Sequence, residues 1–160
     1  MGRPGRRTGL ALALASALTT VVAAQGGPPE DIGSRAKGAA TVVVATVVDV
    51  QSRFGLNDYG DRLILSDATL RVDEALKGPF TPVSSVTVEG GTIGSLALNV
   101  SDMAQLQPNE RAVFFLTKGK AGQNLPYHRG AGILKLDSSN RIAGTNVTLD
   151  DVRRIVNSVR

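Results

Sequence analysis

Apolar residues in this chain fall into short blocks separated by Gly, Pro, Asn and Asp. The first long block, Thr41-Val42-Val43-Val44-Ala45-Thr46-Val47-Val48-Asp49-Val50, is β-branched and apolar on both faces until Asp49, which predicts a strand. Gln51 to Gly60 reads as a loop, with Gly55, Asn57, Asp58 and Gly60 supplying turn chemistry. The next block, Arg62 to Leu76, changes phase: Leu63 and Leu65 lie on the odd face, whereas Ala68, Leu70 and Val72 lie on the even one. Because side chains alternate with period two, this predicts a bulge or bend near Ser66-Asp67, of the kind a small barrel needs to close. Lys77-Gly78-Pro79 ends the strand.

Further strands follow at Val83–Glu89, with Val86 and Val88 inward and a turn at Gly90-Gly91, and around Leu96, Leu98 and Val100. Arg111 to Thr117 is the continuous apolar block expected to be most buried, and weaker strands are expected around Tyr127-His128 and Ile133 to Leu136. The chain closes with a helix. Thr148 is its N-cap, Thr148-Leu149-Asp150-Asp151 fits the capping pattern, and Leu149, Val152, Ile155 and Val159 form one apolar stripe expected to dock on the domain itself. Glu30 to Ala40 holds a helical turn or two at most, weakened by Gly33 and Gly38. The organisation predicted is residues 1–24 a signal peptide, 25–40 a leader with a short helix, 41–147 a β-barrel domain and 148–160 a helix packed on it.

The signal-peptide reading rests on Arg3, Arg6 and Arg7, the fifteen-residue apolar run Leu10 to Ala24, and the small-residue end before Gln25. The run falls short of the roughly 20 residues a membrane-spanning helix needs, so no stable anchor is expected after cleavage. A general secretory signal suits it better than a twin-arginine one, and the predicted location is secreted or periplasmic. Charge then changes meaning. The whole chain carries 18 Lys+Arg against 14 Asp+Glu, and the removed segment takes three Arg and no acid with it, leaving +1. Such a near-neutral chain, with only six aromatics beyond residue 24, argues against nucleic acid as a partner. The absence of Cys rules out disulfides, thiol catalysis and thiolate metal sites, so apolar burial must supply stability. Frequent Ala, Gly, Arg and Val suggest a GC-rich bacterial source, on which the sequons at Asn99 and Asn146 are chance matches.

No motif for catalysis, metal or cofactor emerges. His128 is the lone histidine and has no partner set at recognisable spacing. Asn57, Asp58 and Asp61 fit a turn better than a calcium loop, whose twelfth position would be Ala68. Asp73 and Glu74, adjacent on a strand, are expected on opposite faces and so not as an acid pair. Gly90-Gly91-Thr92-Ile93-Gly94 lacks the Lys-Ser/Thr of a phosphate loop. Lys77 is expected at a strand-end rim. The candidate binding residues are Phe54, Asn57, Tyr59, Lys77, Tyr127, His128 and Arg129, carried by loops Gln51–Asp61 and Lys118–Gly130, with Gly90–Gly94 as a third contact loop.

Ala40 and Val42 to Val47, Val72-Asp73-Glu74-Ala75-Leu76-Lys77-Gly78, Val86-Thr87-Val88-Glu89-Gly90-Gly91 and Asn109-Glu110-Arg111-Ala112-Val113-Phe114-Phe115-Leu116 together carry a resemblance. Over roughly residues 36–118 the chain resembles a family of uncharacterised exported bacterial proteins, similar in layout to netrin-like and tissue-inhibitor-of-metalloproteinases OB-fold domains. The resemblance implies a mainly β fold: a small OB-like β-barrel with a C-terminal α-helix. It does not carry over zinc chelation by an N-terminal Cys, because this chain has none. The function expected is a non-catalytic exported barrel binding a protein or cell-envelope component through loops. The alternatives are an inhibitor or modulator of an extracellular metalloprotease and, last, an enzyme.

Overall fold

The structure, a computed structural model, describes residues 30–159; the segment 1–24 expected to be a signal peptide, residues 25–29 and Arg160 lie outside them. The chain runs α1 (Glu30–Gly38), β1 (Thr41–Leu56), β2 (Arg62–Lys77), β3 (Val83–Glu89), β4 (Gly91–Ile93), β5 (Leu96–Leu98), β6 (Arg111–Lys118), β7 (Asn124–Pro126), a 3-10 turn (Arg129–Gly132), β8 (Ile133–Lys135) and α2 (Leu149–Ser158). One antiparallel sheet has the order β3-β2-β1-β6-β7, with β8 also pairing β6, and β4-β5 form a separate hairpin. The fold is therefore mainly β with a C-terminal helix.

The both-face apolar character of β1 from Val42 to Val47 has a direct cause: both faces of that stretch are covered. Odd residues Val43, Ala45 and Val47 join Leu70, Val86, Ala112, Phe114 and Met103 in one cluster. Even residues Val42 and Val44 join Val113, Phe115, Ile32, Val152 and Val156 in another, beneath the two helices. Phe114 and Phe115 are neighbours pointing to opposite sides, and both are fully buried. Gly33 lies under Ile155 and Val159. Packing of α1 and α2 on the shared apolar cluster, rather than propensity, carries α1 through nine residues. Thr148 caps α2 as its sequence predicts, in a reciprocal capping box with Asp151. The α2 stripe docks on the domain itself.

The phase change is not where the sequence places it. Pairing runs without a shift from Val50–Ala68 to Leu56–Arg62 and across the whole of β2–β3, so Ser66-Asp67 is regular. Leu65 is apolar on the odd face because that face is buried there too. The irregularities fall elsewhere, between Val42/Val43, Val44/Ala45 and Val47/Asp49 of β1. The last leaves Val48 unpaired and exposed. The other two place Asp73 and Leu76 of β2 outside the ladder, and this re-aims the strand end. Ala75 turns inward, while Glu74, Leu76 and Lys77 turn to the helical side.

Two expectations are corrected by those bulges. Asp73 and Glu74 share a face: Asp73 accepts from Arg111 Nε at 3.0 Å and Thr46 Oγ1 at 3.3 Å, and Glu74 accepts from Arg153 Nη2 of α2 at 2.7 Å. Each is saturated by its own arginine, so they form no acid pair. The Glu74 hydrogen bond, then that of Asp150, holds the Arg153 guanidinium above its ordinary pKa. Lys77 is not a rim residue. Its Nζ donates to the carbonyls of Ala36 (2.7 Å), Lys37 (3.1 Å) and Ala39 (2.6 Å), capping the carbonyl end of α1 from a neighbouring strand. All three ammonium donors are used.

Lys77→Met keeps the aliphatic stem but strands those carbonyls. Hydrogen bonds to charged groups contribute about 1.5–3 kcal/mol, so a loss of about 2 kcal/mol is expected in denaturant unfolding, with protection of α1 amides falling first. An unchanged midpoint would show that solvent caps the helix equally well.

Candidate functional site

The sheet's two outer strands, β3 and β7, come side by side, but no ladder joins them. Gly90 N donates to Ile64 O and Val72 N to Pro82 O. That phase turns the main-chain groups of Ser84, Val86 and Val88 towards β2, and those of Ser85, Thr87 and Glu89 towards the open edge. On β7, Gly119 N donates to Gln123 O and Tyr127 N to Phe115 O, so the amides of Asn124 and Pro126 face the same seam. Pro126 has no N–H to give. What crosses the seam is a side chain: Asn124 Nδ2 donates to Ser85 O at 2.8 Å. Beyond that staple the seam opens into a groove of about 360 Å³.

Three segments wall the groove. The first is the β1–β2 tip, where Asn57 Oδ1 accepts from the backbone N–H groups of Tyr59 (3.0 Å) and Asp61 (2.9 Å). This is the side-chain-to-backbone turn chemistry that the Asn-Asp-Tyr-Gly-Asp run predicts. Asn57 Nδ2 also donates to Glu89 Oε1 at 3.1 Å, tying the tip to β3. The second is the β6–β7 loop, which grips the same tip: Lys120 N and Gln123 Nε2 donate to the Asp58 carboxylate, each at 3.1 Å, and Lys120 Nζ donates to Asp58 O at 2.6 Å. The third is Tyr127-His128-Arg129.

His128 (φ 53°) and Arg129 (φ 61°) are consecutive non-glycine residues in the left-handed region. Each costs of order 1–2 kcal/mol of local strain. The double turn folds the His128 ring back onto Tyr127, with centroids 4.1 Å apart and planes 14° from parallel. Arg129 repays the strain. Its Nε and Nη2 grip the Asp102 carboxylate at 2.5 and 3.1 Å, and Nη2 also donates to Glu89 Oε2 at 2.9 Å. The Glu89 bond first, then the Asp102 bond, raises the Arg129 pKa, and Arg129 holds the Asp102 carboxyl below the usual range. Gly130 donates to Asp102 O at 3.0 Å, and a Cβ at Gly130 would collide with that carbonyl.

Of the seven predicted residues, Asn57, Tyr59, Tyr127, His128 and Arg129 meet in this groove. Tyr59 is 77% exposed at its lip. Phe54, opposite Ile64 in the β1–β2 hairpin, does not line it, and Lys77 belongs to the helix cap. The Gly90–Gly94 loop lies elsewhere, with Gly91 against the Ser52 and Ser66 hydroxyls. Sequence reasoning missed Thr87, Glu89, Lys118 and Gln123. Gln123 and Lys118 sat inside a loop singled out as a contact element, while Glu89 and Thr87 read as ordinary strand residues. Among the described residues no group of three His, Cys, Asp or Glu is placed to hold a metal ion, and no helix is long and apolar enough to cross a membrane.

Beside the groove, Asp67 fixes Thr87. Its carboxylate accepts from Thr87 Oγ1 at 2.6 Å and Arg53 Nε at 2.6 Å. Burial alone would raise the Asp67 pKa, but the Arg53 and Thr87 hydrogen bonds and the Arg53 charge together lower it. No protein-family model matches the chain, and no curated protein matches it.

Because the folded pKa of Asp67 is depressed, its contribution is full above the unfolded carboxylate value of about 3.9 and disappears as pH falls through the folded value. Asp67→Asn is therefore expected to lower the thermal midpoint at pH 7 and to lower it less at pH 2. An equal loss at both pH values would assign the effect to packing instead.

Proposed function

We propose that this chain is an exported, non-catalytic binding module that recognises a protein or a cell-envelope component through the groove between β3 and β7. The observation that carries the reading is convergence: three segments distant in sequence bring Asn57, Tyr59, Glu89, Tyr127, His128 and Arg129 to one groove on a rigid sheet. Loops held by a packed scaffold are where recognition concentrates. The strained pair His128-Arg129 supports the same reading, because such backbone persists where its surroundings over-determine it and clusters at ligand-binding sites.

Commitment of the charged groups favours recognition over reaction. Glu89 is held by Arg129 and Asn57, and Asp58 by Lys120 and Gln123. The Thr87 hydroxyl does meet the Asp67 carboxylate, but Asp67 is also held by Arg53 and its pKa is lowered, which makes it a poor base for activating a nucleophile. An OB-like barrel, and with it the likeness to netrin-like domains, remains part of the proposal. Its support is the order β3-β2-β1-β6-β7 with β3 and β7 side by side. Fold likeness alone assigns no activity. Export rests on the basic start and apolar run before Gln25.

His128→Gly separates recognition from folding, since glycine adopts φ near 53° without strain. The variant is expected to unfold within about 1 kcal/mol of the parent yet to capture its partner from the secreted and envelope fraction at least tenfold less well. Undiminished capture, or repeated failure of the parent to retain any partner, overturns the reading. N-terminal sequencing of the exported protein is expected to begin at Gln25; a start at Met1 removes export.

A further inference from the structure

The geometry points to an extended peptide segment, carrying an acidic residue, as the occupant of this groove, bound by adding a strand to the open edge of β3. The inference rests on the groove being the binding site and specifies what fills it.

Three observations converge. First, β3 keeps an unfinished edge. The main-chain groups of Thr87 and Glu89 face the seam, and no ladder pairs them on that side. They are two residues apart, hence about 6.7 Å along the strand, the repeat of an extended chain. Thr87 is itself buried, and buried backbone groups are costly to leave unpaired, so an edge without a ladder favours a partner that brings matching donors and acceptors. Only another extended backbone offers that spacing.

Second, the neighbouring strand cannot supply the partner. β7 runs beside β3, yet Pro126 stands where its donor would be, and the Asn124 staple joins the strands at Ser84 and Ser85, at one end of the seam. The seam is thus closed at one end and left open at Thr87 and Glu89. Leu65, Met103 and Leu125 line the opening and offer apolar contact to alternate side chains of an added strand.

Third, two polar groups of the lining are unmatched. Gln123 turns its Nε2 to Asp58, leaving a buried Oε1 with no donor. Lys118 borders the groove with an ammonium that makes no ion pair among the described residues, whereas Arg129 is already committed to Glu89 and Asp102. A peptide N–H or side-chain amide suits the first, and a carboxylate suits the second.

The test uses the protein from Gln25 onward and a display library of random ten-residue peptides, followed by synthetic copies of the enriched sequences. Binding is read by fluorescence anisotropy. Enriched peptides are expected to carry an acidic residue, to lose at least tenfold in affinity with His128→Gly, and to bind Lys118→Glu at least fivefold more weakly. Backbone N-methylation is the decisive arm. Methylating the residues of one parity should abolish binding, and methylating the other parity should be tolerated, because only alternate amides face β3. Amide exchange at Thr87 and Glu89 should slow when peptide is bound. Peptides that need the groove but ignore N-methylation of either parity overturn strand addition and leave the groove as a binding site. Enriched peptides that are indifferent to His128→Gly, or no enrichment at all, overturn strand addition and the groove reading together.

Discussion

The rest of the structure depends on one constraint: the first half of β1, from Val42 to Val47, and the β6 residues beside it are covered on both faces. Val42, Val44, Val113 and Phe115 must be covered on one side and Val43, Ala45, Val47, Ala112 and Phe114 on the other. A single sheet cannot do this. Helices α1 and α2 cover the first set, and residues of β2, β3 and β8 with the Met103–Leu106 segment pack against the second. Without cysteines, these two apolar clusters are where stability must come from.

Double-sided burial then dictates where the ladder breaks. A strand that alternates regularly sends every second side chain to one side, whereas the end of β2 must reach both helices. The bulges at Asp73 and Leu76 deliver Glu74 to Arg153 on α2 and Lys77 to the carbonyl end of α1. The polar contacts that anchor the helices are a consequence of ladder irregularity.

At the opposite edge the same economy leaves something undone. Pro126 removes the donor that would extend β7's pairing, Asn124 substitutes a side chain for a ladder, and the seam opens into the groove. Around it the polar groups interlock. Asn57 and Arg129 both hold Glu89, Asp58 is gripped by the β6–β7 loop, and Arg129 reaches Asp102. This network binds three separately encoded loops into one wall and sustains the left-handed backbone of His128 and Arg129.

Much of the fold was legible. Strand blocks, the inward Val86 and Val88, the most buried strand at Phe114-Phe115 and the Thr148 capping box follow from period, β-branching and cap chemistry, all local in sequence. Asn57 and Tyr59 were legible as turn residues, and Tyr127, His128 and Arg129 as a strand edge or contact loop, but none of them as neighbours. The sequence by itself located most strand blocks and the C-terminal helix, because those preferences belong to residues within a few positions of one another. But residues 51–56, read as a loop, extend β1 by pairing with β2, and Tyr127-His128, read as a strand, form a turn after β7. Only the tertiary structure decided where the ladder slips, that Lys77 caps α1, and that Glu89 meets Arg129. These contacts join residues about 40 apart, and their geometry depends on how two buried faces are covered at once. The phase change of Leu63 and Leu65 shows why. An apolar residue on the unexpected face looks the same in sequence whether the strand bulges or a second surface covers it.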